Sequence, residues 1–228
     1  MFHPDHYRIQ RHFTSADIPD CIWPTDNEYD IPLLRDDRQA DAVDLPAIGW
    51  GTIKRSSHMP GTWHFYVDDY RFNHLWKDPS AVMNSGCMNA VEPNFSVNNQ
   101  MPFALAVYRI YQKRWIARLW QEFAHIRIFV DMNVSERYMA LNLAGVPYGW
   151  RAYATRGYSD RLDAIDMEYA QACLRRGSSD ILFIVYGGGL TVRQRCLERG
   201  LIWIPEQQDV AKGRQKPLEK TEYVSSRI

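Results

Sequence analysis

Acidic and amide side chains recur in this sequence at one kind of place, directly after a short apolar run. Asp68 and Asp69 follow the run 63–67, Glu92 and Asn94 follow 87–91, Asp131 and Asn133 follow 126–130, and Glu206 follows 201–204. Hard divalent cations take oxygen ligands, and such ions assist phosphoryl chemistry by stabilising charge on the transferred group. If Asp68, Glu92 and Asp131 converge, they form a site for Mg²⁺ or Mn²⁺. Arg156, after the run 150–154, would then stand near the reacting group. The alternative reading is local: Asp, Asn and Ser end strands because they favour turns and cap helices.

Two further features suit anions. Gly187-Gly188-Gly189-Leu190-Thr191 follows the apolar run 181–186. Backbone amides at a helix N-terminus bind anions, and glycines let a phosphate approach closely. The loop lacks the Lys-Ser/Thr ending of a P-loop, and a tight turn at positive φ is the simpler reading of it. In the segment 108–118, Arg109, Lys113, Arg114 and Arg118 interleave with Tyr108, Tyr111 and Trp115. Such a stripe can track phosphates and stack bases. It can also be the solvent face of an amphipathic helix. Lys212, Arg214 and Lys216 in the polar C-terminal stretch would add to a phosphate-binding surface.

Other chemistries find no pattern. The seven histidines show no HxH or HExxH spacing, so a dedicated zinc site is not indicated. There is no GxSxG elbow. Four cysteines, Cys21, Cys87, Cys173 and Cys196, lie far apart and read as reduced thiols of a cytoplasmic protein. No apolar run approaches a membrane span, and the N-terminus lacks the basic-then-apolar order of a signal peptide. The net charge of zero hides an asymmetry. Residues 1–44 hold ten acidic and four basic side chains, so that stretch carries −6 and residues 45–228 carry +6.

The elements that must position these groups follow from the apolar pattern. Continuously apolar short runs alternate with helical patterns between 62 and 206, beginning with a long helix from Pro102 to Gln121. Later helices are capped by Ser135, by Ser159 or Asp160, and by Thr191. This alternation predicts an α/β domain with a mostly parallel sheet of about six strands and helices on both faces, either an open wound sheet or an incomplete β/α barrel. Residues 1–61, broken by six prolines, read as an irregular acidic segment packed on the domain. Residues 207–228 read as a basic polar tail. In parallel sheets ligands bind at the carboxyl ends of strands, where all the acidic positions above fall.

Several blocks are similar to an uncharacterised domain-of-unknown-function family, the one numbered four-four-one-seven. They are His64-Phe65-Tyr66-Val67-Asp68-Asp69-Tyr70-Arg71-Phe72 with Trp76 and Pro79; Glu92-Pro93-Asn94-Phe95-Ser96 with Met101-Pro102; and Tyr108-Arg109 through Arg114-Trp115 with Trp120. Ala154-Thr155-Arg156-Gly157 and Val185-Tyr186-Gly187 resemble its later strand ends. The resemblance covers about residues 62–190 and implies bacterial, phage and mobile-element proteins with no established reaction. The chain departs from the pattern at Asp131-Met132-Asn133, and its acidic N-terminal segment looks like an addition.

Three functions remain open on the sequence. One is a nucleic-acid-associated protein of a phage or mobile element, processing phosphodiesters with a metal. Another is a non-catalytic regulator that offers its acidic segment 17–44 to a host or phage protein, or folds that segment back on the basic body. The third is a small-molecule enzyme with a phosphorylated ligand on the glycine loop. The sequence leaves the oligomeric state open.

Overall fold

Leu182–Tyr186 has no charged position, and all five residues are buried, so both faces of this strand are covered. A computed structural model of the chain describes residues 23–52 and 58–217. The expectations for Cys21, for the rest of the first 22 residues and for the tail beyond 217 lie outside the described residues. Seven parallel strands run in sequential order: β1 (Ala47–Gly49), β2 (Thr62–His64), β3 (Asn89–Val91), β4 (Arg127–Asp131), β5 (Ala152–Arg156), β6 (Leu182–Tyr186) and β7 (Ile202–Ile204). The helices are α1 (Ser80–Met83), α2 (Phe103–Phe123), α3 (Met139–Asn142), α4 (Leu162–Arg176), α5 (Gly189–Arg199) and α6 (Gln207–Ala211), with single 3₁₀ turns between them.

Sequential order decides between the two expected architectures. Right-handed crossovers that always step to the next strand lay every connection on the same face. The sheet then curls away from its helices. His64 of β2 and Tyr186 of β6 have ring centroids only 3.9 Å apart, although three strands separate them in the sheet. At ~4.8 Å per strand a flat sheet would hold them roughly 19 Å apart. The result is the incomplete barrel. Its convex face packs Trp63, Ile128, Val130, Tyr153, Phe183 and Val185 against Ile110, Trp115, Ile116, Ile165 and Val192 of the helices.

Both faces are covered, but the second cover is not helical. On the concave face Tyr66, Val91, Phe129, Ala154, Ile184 and Ile204 meet Ala40 and Val43 of the N-terminal segment. That segment wedges into the amino-terminal end of the sheet. The Ala40 amide donates to the Ile128 carbonyl (3.0 Å), the Arg151 amide donates to Gln39 Oε1 (2.7 Å), and Asn89 Nδ2 donates to the Ala42 carbonyl (2.9 Å). β1 also belongs to the stretch expected to be irregular. Three residues bounded by a proline and ending in glycine are too short to show a period, so the sixfold expectation misses it. Likewise Thr191 is not a cap: α5 begins at Gly189, preceded by Gly188 at φ 78°, and Thr191 is exposed within it.

The amino-terminal mouth is therefore plugged and the carboxyl-terminal mouth is open. Ile31, Leu34, Ala40 and Val43 are at most 2 % exposed, so the segment 23–44 is part of the core. Loss of one such large aliphatic side chain costs about 2–5 kcal/mol, against a typical total of about 5–15 kcal/mol. A chain lacking residues 1–44 is expected to fail to fold, read as loss of a cooperative urea transition. A cooperative transition with unchanged midpoint would refute the plug.

His64 supplies a second test of the interior. It is fully enclosed, neither ring nitrogen has a hydrogen-bond partner, and burial followed by the Arg156 charge pushes its pKa down to about 3. A folded-state pKa below the ordinary 6.5 means that only the unfolded chain takes up this proton as the solution is acidified. Stability from this group is full above pH 6.5 and falls toward pH 3, by up to about 1.4 kcal/mol per pH unit. His64→Leu is expected to flatten that acid limb in denaturation midpoints measured from pH 7 to 4; an unchanged slope counts against it.

Candidate functional site

α2 carries two basic side chains on its buried face, and they fix the carboxyl ends of β3 and β4. Lys113 Nζ lies 3.0 Å from Asp131 Oδ2 and 3.0 Å from the Asp131 carbonyl, and Arg114 Nη1 lies 2.7 Å from Glu92 Oε1. All four side chains are fully buried. The pairs are tied to each other, since the Asp131 amide donates to Glu92 Oε2 (3.1 Å). Asn142 of α3 closes the network: its Nδ2 donates to the Asp131 carbonyl and its own carbonyl accepts from Arg114 Nη2. Burial pushes the Glu92 carboxyl up and the Arg114 guanidinium down, and the partner's opposite charge opposes each shift. At 2.7 Å the pair is ionised.

These contacts correct the expected roles of α2. Lys113 and Arg114 do not face phosphates; they are internal counter-ions. Arg118 is largely buried, pairing with Glu122 at 3.1 Å and lying over the Trp23 ring. Arg109 is half-buried, bonded to Gln112 Oε1 and stacked on Phe95. Lys212, Arg214 and Lys216 are exposed, beside the short helix α6. Among the expected metal ligands, Glu92 and Asp131 are adjacent but each is engaged by a cation, whereas Asp68 is exposed at the rim. Among the described residues no group of three His, Cys, Asp or Glu side chains is placed to hold a metal ion.

The glycine loop is shaped by its neighbours. Gly187 and Gly188 adopt φ near 77°, and a Cβ on Gly188 would meet Val192 Cγ2 at 2.4 Å and the Gly157 carbonyl carbon at 2.8 Å. A Cβ on Gly187 would meet Glu206 Oε1 at 2.7 Å. Trp203 Nε1 donates to the Gly187 carbonyl. Gly187, Gly188, Gly189 and Thr191 are outside the residues that line the cleft described next.

A cleft of about 1500 Å³ opens over the carboxyl ends of the strands. Asp68, Asp69, Asn94, Asn133, Arg156 and Glu206 line it, as their strand-end positions predict. Seven carboxyl groups face it (Asp68, Asp69, Glu136, Asp160, Asp163, Glu168 and Glu206) against three guanidinium groups, Arg71, Arg156 and Arg161. Arg156 is shared: Nη2 pairs with Glu206 at 2.9 Å, Nη1 donates to the Tyr66 carbonyl at 3.2 Å, and the guanidinium lies over the Tyr186 ring. Tyr66 and Tyr186 stack with 17° between their planes, and Tyr66 Oη donates to Asp131 Oδ1 (3.2 Å). Burial, then the Asp131 charge, hold the Tyr66 phenol well above its usual range. At the rim the Arg161 guanidinium stacks 3.9 Å from the Tyr158 ring centre.

Glu168 on α4 is the group that sequence reasoning missed. It lines the cleft, is 4 % exposed, and its Oε2 has no hydrogen-bond partner. Burial pushes its carboxyl well above the usual range, with the Thr155 side chain opposing and the Asp131 charge adding. The signal in the sequence was position: Ile165, Glu168 and Ala172 form the buried stripe of α4, so a carboxyl stands where an apolar residue is expected.

Removing one member of a buried ion pair leaves the other uncompensated, at a cost of about 3–5 kcal/mol. Lys113→Met is expected to lower the urea-denaturation stability by that amount, and Arg114→Met likewise. A loss below about 1 kcal/mol for either would mean that the pairs are dispensable to the fold.

Among the described residues no helix is long and apolar enough to cross a membrane. The chain is 33 % identical over 104 residues to "Gene 1 protein" of Mycobacterium phage D29, covering 43 % of this chain and 37 % of the relative. It is 31 % identical over 98 residues to "Gene 1 protein" of Mycobacterium phage L5, covering 41 % of this chain and 42 % of the relative. The chain thus spans about two fifths of the length of the curated relatives it matches. No solved structure matches it. The profile of the family described as "Domain of unknown function (DUF4417)" matches residues 23–173, which brings the plug and β1 inside the family domain rather than leaving them as an addition. With about two thirds of its length matched, the chain belongs to this domain family of unknown function, as the strand-end blocks imply.

Proposed function

We propose that this protein is an enzyme that acts on a component of nucleic acid in the cleft at the carboxyl ends of the strands, with Glu168 as the proton donor. The observation that carries this reading is the buried Glu168 carboxyl on the cleft wall, whose Oε2 has no hydrogen-bond partner. A carboxyl held neutral by burial can give a proton to a leaving or forming group, a contribution typically of 10²–10⁴ in rate. Beside it, Lys113 fixes Asp131 and Asp131 fixes the Tyr66 hydroxyl, so the floor is rigid before any ligand arrives. Likeness to two phage proteins and the arginine–tyrosine stack at the rim support a nucleic-acid component as substrate.

Phosphodiester processing with Mg²⁺ or Mn²⁺ on Asp68, Glu92 and Asp131 draws less support, because Lys113 and Arg114 already neutralise two of those carboxylates. Display of the acidic segment to a protein partner also draws less support. Three of its seven described acids bind the body of the chain, Asp41 and Asp44 to Arg127, and Asp26 to Arg175.

A ligand at about 100 times its dissociation constant stabilises the folded state by about 2.7 kcal/mol. A thermal-shift series with nucleosides, nucleotides, oligonucleotides and simple sugars is expected to find a stabilising ligand among the first three. With that ligand, Glu168→Gln is expected to keep the shift and lose turnover by at least a hundredfold. A wild-type protein stabilised by none of them would sink the reading, as would unchanged turnover in Glu168→Gln.

A further inference from the structure

The nature of the ligand can be narrowed by charge and by the shape of the α4 wall. Seven carboxyl groups and three guanidinium groups face the cleft, so its lining is net negative even with Glu168 protonated. Arg156 is already engaged by Glu206. A phosphate entering such a lining meets three or more uncompensated negative charges. At roughly 8 Å and solvent-like screening, each added phosphate charge costs about tenfold in affinity. Phosphate-rich ligands are therefore disfavoured, whereas uncharged polar ligands meet no such penalty.

The wall favours a flat, polar, uncharged ring. Arg161, which immediately precedes α4, and Ala164 and Glu168 within it all line the cleft. Arg161 and Glu168 are seven residues apart, a rise of roughly 10 Å along a helix, and the small Ala164 lies between them, with Asp163 and Met167 also on the lining. The outer end of this strip is the Arg161–Tyr158 stack, to whose faces planar groups add. The inner end is Glu168, beside the stacked Tyr66 and Tyr186 rings. A protonated carboxyl offers a donor and an acceptor side by side. That pair matches a ring nitrogen next to an exocyclic amine, the edge that adenine and cytosine present. Asn94, Asn133 and Gln100, which also line the cleft, supply amide groups for the hydroxyls of a sugar.

We infer that the cleft takes an uncharged nucleobase or nucleoside with an amidine-type edge, the base on Glu168 and the sugar toward the Asn94, Asn133 and Gln100 amides, and not the phosphates of a nucleotide or a nucleic-acid backbone. The inference rests on the cleft being the working site. Glutamine also offers a donor beside an acceptor, whereas leucine offers neither, so the two substitutions separate hydrogen-bond recognition from proton transfer.

Calorimetric titration of the whole chain at low salt, with adenosine, cytidine, adenosine monophosphate, adenosine triphosphate, a short oligonucleotide, glucose and a lysine-rich peptide, tests it. Adenosine or cytidine is expected to bind at least tenfold more tightly than the monophosphate and at least a hundredfold more tightly than the triphosphate. Added salt is expected to narrow both gaps. Glu168→Gln is expected to keep nucleoside binding, and Glu168→Leu to lose it at least tenfold with its thermal transition intact. Should Glu168→Leu not fold, the wild-type ranking alone decides. Tightest binding by the triphosphate, the oligonucleotide, glucose or the peptide overturns the inference; for the triphosphate or oligonucleotide the cleft assignment survives. Binding by none of the seven overturns both.

Discussion

Two cations sealed under the strand ends, Lys113 and Arg114, are the constraint on which the rest of the structure depends. Each is desolvated, and each regains the loss through a carboxylate and a backbone carbonyl held within hydrogen-bond distance. Glu92 follows β3 and Asp131 ends β4, so the two pairs fix the spacing of adjacent strand ends and the height of α2 above them. Apolar packing could hold the same elements together with similar strength. It would not choose one register, whereas a buried charge tolerates only the register that meets its partner. Asn142 extends the same requirement to α3.

From that frame the cleft follows. Asp131 receives Lys113 from beneath and the Tyr66 hydroxyl from the side, so the charge network reaches the cleft floor through one hydrogen bond. Tyr66 stacks on Tyr186, and Tyr186 carries Arg156, which returns to the Tyr66 carbonyl and to Glu206. This loop of contacts links β2, β5, β6 and the end of β7 across the concave face. It does for the open barrel what a missing strand pair between β1 and β7 would otherwise do. Glu168 stands beside the loop with an oxygen left over. A buried polar atom without a partner is costly to keep, and such exceptions concentrate where a ligand completes them.

How much of this was legible in the sequence depends on what each residue's neighbours in the chain reveal. Strand ends were legible because continuous apolar runs stop at polar residues, and Asp68, Asn94, Asn133, Arg156 and Glu206 do line the cleft. The barrel was legible only as one of two options, because strand order is not written in alternation. β1 was hidden by its length, and the plug by its prolines. The charged residues on helices misled for another reason. Lys113 and Arg114 sit three and four residues after the buried Ile110, and Glu168 three after the buried Ile165. That spacing alone signals an inward face, but a lysine or glutamate inside a protein is rare enough that the solvent face is the default reading. Only the partner, brought from a distant strand, makes the inward reading affordable.

The same reasoning bears on the opposed charges of the two parts of the chain. A segment at −6 beside a body at +6 suggests a basic surface waiting for a polyanion. Six of the body's cations are engaged within the chain. Arg127 takes Asp41 and Asp44 of the plug, Arg175 takes Asp26, Lys113 and Arg114 are internal, and Arg195 with Arg199 share Asp166. Net charge describes the field far from a molecule, whereas binding is decided by the charges left uncompensated within a Debye length, about 8 Å at physiological salt. Around the cleft carboxyl groups outnumber guanidinium groups, seven to three. The asymmetry written in the sequence therefore serves folding in part, through the pairing of Asp26, Asp41 and Asp44 of the plug with the body of the chain. The surface at the opposite end keeps the sign that a neutral ligand tolerates and a polyphosphate does not.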